Sequence, residues 1–93
     1  MSVTVKIPAS LRNLAGGAEQ VEVPPGRVVE VVARLSSDYP GLGERLIEAG
    51  KLRRFVNVFV GEEDVRFLNG LETDVAEGQV VTILPAVSGG GIQ

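Results

Sequence analysis

Apolar residues alternate with polar ones near both ends of this 93-residue chain, and between those stretches the pattern switches once to a helical period. Val3, Val5 and Ile7 share one face and Ser2, Thr4 and Lys6 the other, which predicts a half-buried strand over residues 2–7. Pro8 ends it, residues 11–15 lead into a Gly16-Gly17 turn, and residues 19–23 alternate again as a hairpin partner. After Pro24-Pro25-Gly26 the period changes. Val28, Val32 and Leu35 fall on one helical face while Glu30, Arg34 and Ser37 face water, so the main helix is predicted over residues 28–37. Its β-branched valines lower the intrinsic helix propensity, and tertiary packing must hold it. Tyr39-Pro40-Gly41 stops that helix, and a short second one is predicted over residues 42–48, ended by Gly50. Residues 55–60, apolar on both faces apart from Asn57, read as a central strand. Residues 61–64 read as a polar turn and residues 65–67 as a short edge strand. Beyond the Asn69-Gly70 turn, Leu71 is expected to plug the core from a loop. The last strand spans residues 79–84, with Val81 and Ile83 on one face and Val80, Thr82 and Leu84 on the other.

A hairpin, a crossover helix and a return to the sheet predict an α+β fold. The expected architecture is a β-grasp: a mixed sheet of four to five strands with one main helix and a short second helix. The length leaves room for one core. The domain is expected over residues 1–88, followed by a flexible glycine tail with a C-terminal extension, residues 89–93.

The chain contains no cysteine and no histidine. Thiol nucleophiles, imidazole acid–base chemistry, disulfides and the usual zinc and iron sites are therefore excluded. A net charge of −3 argues against a nucleic-acid partner. No segment is apolar for the roughly 20 residues a membrane span needs, and the N-terminus carries no secretory signal, so a cytoplasmic protein is expected. The carboxylates Glu62, Glu63, Asp64, Glu72 and Asp74 sit in predicted turns and read as solvated charges. Gly16-Gly17 lacks the spacing of a phosphate loop. Lys51, Arg53 and Arg54 form a basic patch before the central strand, read as a soluble rim with partner binding as the sharper alternative.

The remaining feature is the glycine run Gly89-Gly90-Gly91, launched from a strand through Pro85. Glycine has no Cβ, so such a thread fits a channel too narrow for other residues. Several stretches carry a family resemblance. They are Gly50-Lys51-Leu52-Arg53-Arg54-Phe55-Val56-Asn57-Val58-Phe59-Val60, Glu63-Asp64-Val65-Arg66-Phe67, Gly70-Leu71, and Val81-Thr82-Ile83-Leu84-Pro85-Ala86-Val87-Ser88-Gly89-Gly90. Through them the chain resembles the ubiquitin-like sulfur carriers of the MoaD/ThiS type over essentially all of residues 2–90. Arg54-Phe55-Val56-Asn57 together with Asp64-Val65-Arg66-Phe67 favours the cysteine-biosynthesis branch over the molybdopterin-synthase small subunit.

The resemblance implies a carrier, not an enzyme. An E1-like adenylyltransferase/sulfurtransferase uses ATP to adenylate the carboxylate of the last glycine. A sulfur donor then displaces AMP and leaves a thiocarboxylate, a soft nucleophile in the sense that a thiolate is. A pyridoxal-phosphate-dependent cysteine synthase, or another sulfur-accepting synthase, takes the sulfur, and a JAMM-type zinc metalloprotease trims or releases. No cofactor is expected on the chain itself, which is expected to be a monomer alone. Gly89-Gly90 align with the functional diglycine, Gly90 bearing the thiocarboxylate. Leu84 matches an interface position, with Phe59, Val60 and Arg66 as further docking candidates. The chain departs from the pattern by continuing with Gly91-Ile92-Gln93, which implies a precursor cleaved after Gly90 or after Gly91. Alternative readings are a molybdopterin synthase small subunit, a ubiquitin-like protein modifier, and a β-grasp binding module whose tail does no chemistry.

Overall fold

A computed structural model of the chain describes residues 2–54 and 56–85. The first two strands are β1 (Val3–Lys6) and β2 (Gln20–Val23), paired antiparallel with Val3 opposite Val23. Between them the chain makes a 3₁₀ helix, Ala9–Ala15, which tucks Leu11 and Ala15 into the core. Only a turn was expected there. A two-residue strand β3 (Gly26–Arg27) precedes α1 (Val28–Asp38), and Pro40 opens α2 (Pro40–Leu46).

The expected helical face of α1 is the observed one, with Val28, Val31, Val32 and Leu35 buried. The Glu30 carboxylate accepts the Arg27 N–H at 2.8 Å, which satisfies one of the orphan donors at the helix start. That bond, with the Arg27 guanidinium nearby, lowers the Glu30 pKa below its ordinary value. α2 lies tightly against α1 at Gly43. A Cβ there would sit 2.8 Å from the Ser36 Cα, so only glycine permits this approach.

The second helix ends earlier than expected, at Leu46. Ile47–Glu48 (β4) turns back to pair with Lys51–Leu52 (β5) through the tip Ala49-Gly50, whose φ values are 55° and 79°. Two consecutive left-handed residues make the two-residue turn that suits strand twist, so residues 47–48 leave the helix for a hairpin.

β6 (Val56–Val60) and β7 (Glu63–Asp64) form the next hairpin. Residues 65–67 are not the expected edge strand. The Asp64 carboxylate accepts the Arg66 N–H at 2.8 Å and caps a 3₁₀ turn, Val65–Phe67, leaving Glu63–Asp64 as the edge. A second 3₁₀ turn, Gly70–Glu72, brings Leu71 partly buried against the core. β8 (Asp74–Val75) pairs with β3, and β9 (Val80–Pro85) closes the sheet.

The five-stranded sheet has the order β2-β1-β9-β6-β7. β9 runs parallel to β1 and antiparallel to β6, so it is the middle strand, and β6 lies one place from the edge instead of at the centre. α1 and α2 cover one face, and Val5, Val58, Val81 and Ile83 meet them from the sheet. The opposite face carries no covering element among the described residues. A mixed sheet crossed by one main helix and a short second one is the ubiquitin-like β-grasp architecture.

Candidate functional site

β9 carries the chain toward the glycine run, and its neighbours are unequal. Its parallel pairing with β1 covers Val80, Val81 and Thr82, whereas its pairing with β6 continues to Pro85. The last residues of the middle strand therefore project beyond the end of β1. Alternation sends Val81 and Ile83 into the core and Val80, Thr82 and Leu84 to the open face. Leu84 is 44% exposed, and Asn57 stands opposite it across the ladder. Phe59, half-buried, faces Thr82 on one side and Asp64 on the other. Lys6 lies beyond Thr82 on β1. At the far margin the Ser2 and Thr4 hydroxyls both donate to Glu22, which lowers its carboxyl pKa below the ordinary value.

Leu84 and Phe59 are thus brought together on one surface. Val60 is not. It follows Phe59 on the same strand, so it must point to the other side, where it is 8% exposed within the core. Its apolar character serves packing, and it does not share the open face with Leu84 and Phe59. Arg66 fastens the start of β6. Its guanidinium donates to the Asn57 side chain at 2.5 Å, the Val56 carbonyl at 2.6 Å and the Arg53 carbonyl at 3.1 Å. This holds β6 where it pairs with the end of β9, beneath Leu84.

Phe67 is 87% exposed and Leu68 39% exposed, on the turn that Asp64 caps. Reading residues 65–67 as a strand concealed this pair. The available signal was an Asp two residues ahead of Arg66, which favours a capped turn over an extended edge. Gly89, Gly90, Gly91, Ile92 and Gln93 lie outside the described residues, as does the boundary expected at residue 88. Among the described residues no cluster of carboxylates is arranged to hold a metal ion, and no helix is long and apolar enough to cross a membrane. What the arrangement offers is a surface: exposed apolar side chains on the open face near the end of β9.

The sequence model of the ThiS family matches residues 5–90, and the chain belongs to that family. It is 48% identical over 93 residues to the sulfur carrier protein CysO of Mycobacterium tuberculosis, an alignment covering 97% of this chain and all of the relative. Among solved structures it resembles CysO in the Amycolatopsis orientalis BexX/CysO complex, with a TM-score of 0.89 and 48% identity over 95% of this chain and 99% of that one. The small archaeal modifier protein 1 of Methanosarcina acetivorans is also similar, with a TM-score of 0.84 and 32% identity over 96% of each chain.

Proposed function

We propose that this protein is a sulfur carrier whose Gly90, or Gly91, ends as a thiocarboxylate. The observation that carries this reading is the middle strand of a ubiquitin-like sheet running past its neighbour at Thr82, beside an exposed apolar patch, in a chain nearly half identical to CysO along its whole length. In this reading a JAMM-type zinc metalloprotease first removes the residues after the diglycine, because a glycine in peptide linkage has no free carboxylate. An E1-like enzyme then presents ATP. The glycine carboxylate attacks the α-phosphorus, pyrophosphate leaves, and a mixed anhydride forms. Hydrosulfide-level sulfur attacks the acyl carbon, expels AMP, loses its proton and leaves the thiocarboxylate. The chain acts as protein co-substrate, and its sulfur passes to a pyridoxal-phosphate-dependent cysteine synthase or another sulfur-accepting synthase.

Leu84 and Phe59 form the docking patch, with Arg66 holding the strand of Phe59 in place. Aromatic and large aliphatic side chains at the centre of such a patch supply most of the binding energy. That a CysO was solved in complex with another protein, BexX, supports docking of the folded domain. The likeness to small archaeal modifier protein 1 supports a second reading, conjugation of the glycine end to other proteins. Intact mass spectrometry of the untagged protein from its own host separates them. A chain ending at Gly90 or Gly91 with one oxygen replaced by sulfur is the expected result. Conjugates on unrelated proteins favour the modifier, and full-length, sulfur-free protein in the presence of protease, activating enzyme and ATP would sink the carrier reading.

A further inference from the structure

At the foot of β9 lies a cleft of about 520 Å³, walled by Ser10 and Leu11 from the first 3₁₀ helix, Arg45 from α2, Arg53, Val56 and Pro85. It occupies the space left where β1 stops and β9 continues. Arg53 is oriented by its own surroundings: its Nε donates to the Glu44 carbonyl at 2.6 Å and one Nη1 bond reaches Glu48 at 3.2 Å. A guanidinium has five N–H groups, so part of its fork stays available. Arg45 has no ion-pair partner among the described residues. Residues 44–54 hold four cations, Arg45, Lys51, Arg53 and Arg54, against Glu44 and Glu48, a local surplus of positive charge in a chain of net charge −3.

We propose that this cleft receives a carboxylate side chain of the protein that engages the tail. Pro85, the last described residue of β9, is one of its walls, so the cleft adjoins the point from which the chain continues toward the glycine run. Phosphate sites gather backbone N–H groups at glycine turns or long helix N-termini. Here the backbone at Pro85 has no N–H, and Leu11, Val56 and Pro85 offer apolar contact. A guanidinium fork above an apolar wall suits a carboxylate on a short aliphatic stem. The partner surface is therefore acidic where it meets this cleft and apolar where it meets Leu84.

The identity of the partner rests on the sulfur-carrier reading, so the test has two arms. In the first, the trimmed chain is titrated with the purified E1-like activating enzyme at low and high salt. Arg45→Glu is expected to weaken binding about tenfold at low salt, with the gap closing at high salt and Arg45→Lys retaining most of the affinity. Binding of Arg45→Glu within about twofold of wild type at low salt would overturn the proposal while leaving the carrier function intact. In the second arm, NMR follows the chain alone with butyrate and with inorganic phosphate. Saturable butyrate shifts at Ser10, Leu11 and Arg45 that vanish in Arg45→Glu support the cleft as a carboxylate site. No shifts, or larger shifts with phosphate than with butyrate, overturn it. A wild-type chain that the activating enzyme neither binds nor adenylates fails the carrier reading, and the butyrate titration then decides the cleft by itself.

Discussion

Ile83 and Leu84 are consecutive residues of the middle strand with opposite surroundings. Ile83 is 2% exposed beneath the helices, and Leu84 is 44% exposed on the uncovered face. Both are large and aliphatic, so composition does not separate them; the pleat does. On the covered side an apolar residue removes surface from water once, when the chain folds. On the open side that surface stays in contact with water after folding, and in the proposed function it is what a partner would cover. Side of the sheet, more than residue type, sorts folding residues from docking residues.

Substitutions at the two positions should therefore fail in different assays. Ile83→Ala should cost about 3 kcal/mol in urea unfolding, from lost burial plus the cavity left behind. That is a large share of the stability of a small domain. Gly43→Ala should follow at about 2 kcal/mol, since the added methyl must push α2 off Ser36 of α1. Ala49→Gly should run the other way, gaining about 1 kcal/mol by relieving a left-handed alanine at the tip of the β4–β5 hairpin. Leu84→Asp should change stability by only about 0.5 kcal/mol, yet weaken binding to the activating enzyme by more than tenfold. Equal unfolding midpoints for Ile83→Ala and Leu84→Asp would break the contrast between the faces.

The smallest effect sharpens it. The only buried polar side chain among the described residues is that of Thr73, which carries no charge. The open face has Glu22, whose carboxyl pKa is lowered from 4.5 by the Ser2 and Thr4 hydroxyls. A carboxyl with a depressed folded-state pKa adds stability that is complete above its unfolded value and fades as the pH falls through the folded one. Glu22→Gln should therefore lower stability slightly at neutral pH, where that contribution is complete, and converge on the wild type as the pH falls below 4.5, as measured by thermal melts across that range.

Much of this was legible in the residues. Strict alternation over Val3, Val5 and Ile7, and again over Val81 and Ile83, determines which side chains face the helices. The spacing of Val28, Val32 and Leu35 placed the main helix and its buried face to within a residue. The errors fell where one polar contact or one backbone angle outweighs periodicity. Ala49 in a left-handed conformation bends residues 47–52 into a hairpin, and alanine carries no signal for that. The Asp64 carboxylate turns residues 65–67 away from the sheet and exposes Phe67. Leu84, Phe59 and Val60 came as candidates from the family resemblance; strand parity places Leu84 and Phe59 on the open face and would have set Val60 apart. Of the Arg45–Arg53 cleft only the basic stretch Lys51, Arg53 and Arg54 was visible in the sequence; its other walls, Ser10, Leu11, Arg45 and Pro85, are distant in sequence and no local pattern joins them.

The ladders on either side of β9 have a mechanical consequence. In the proposed function, a partner that pulls on the chain beyond Pro85 along the strand axis would load β9 directly. Parallel bonds to β1 over residues 80–82 and antiparallel bonds to β6 over residues 81–85 then bear the load in shear, several at once, where peeling would break them one by one. Arg66, gripping the Val56 carbonyl beside Pro85, anchors the end where the pull enters. Under such a load the domain would serve as a handle that keeps its shape.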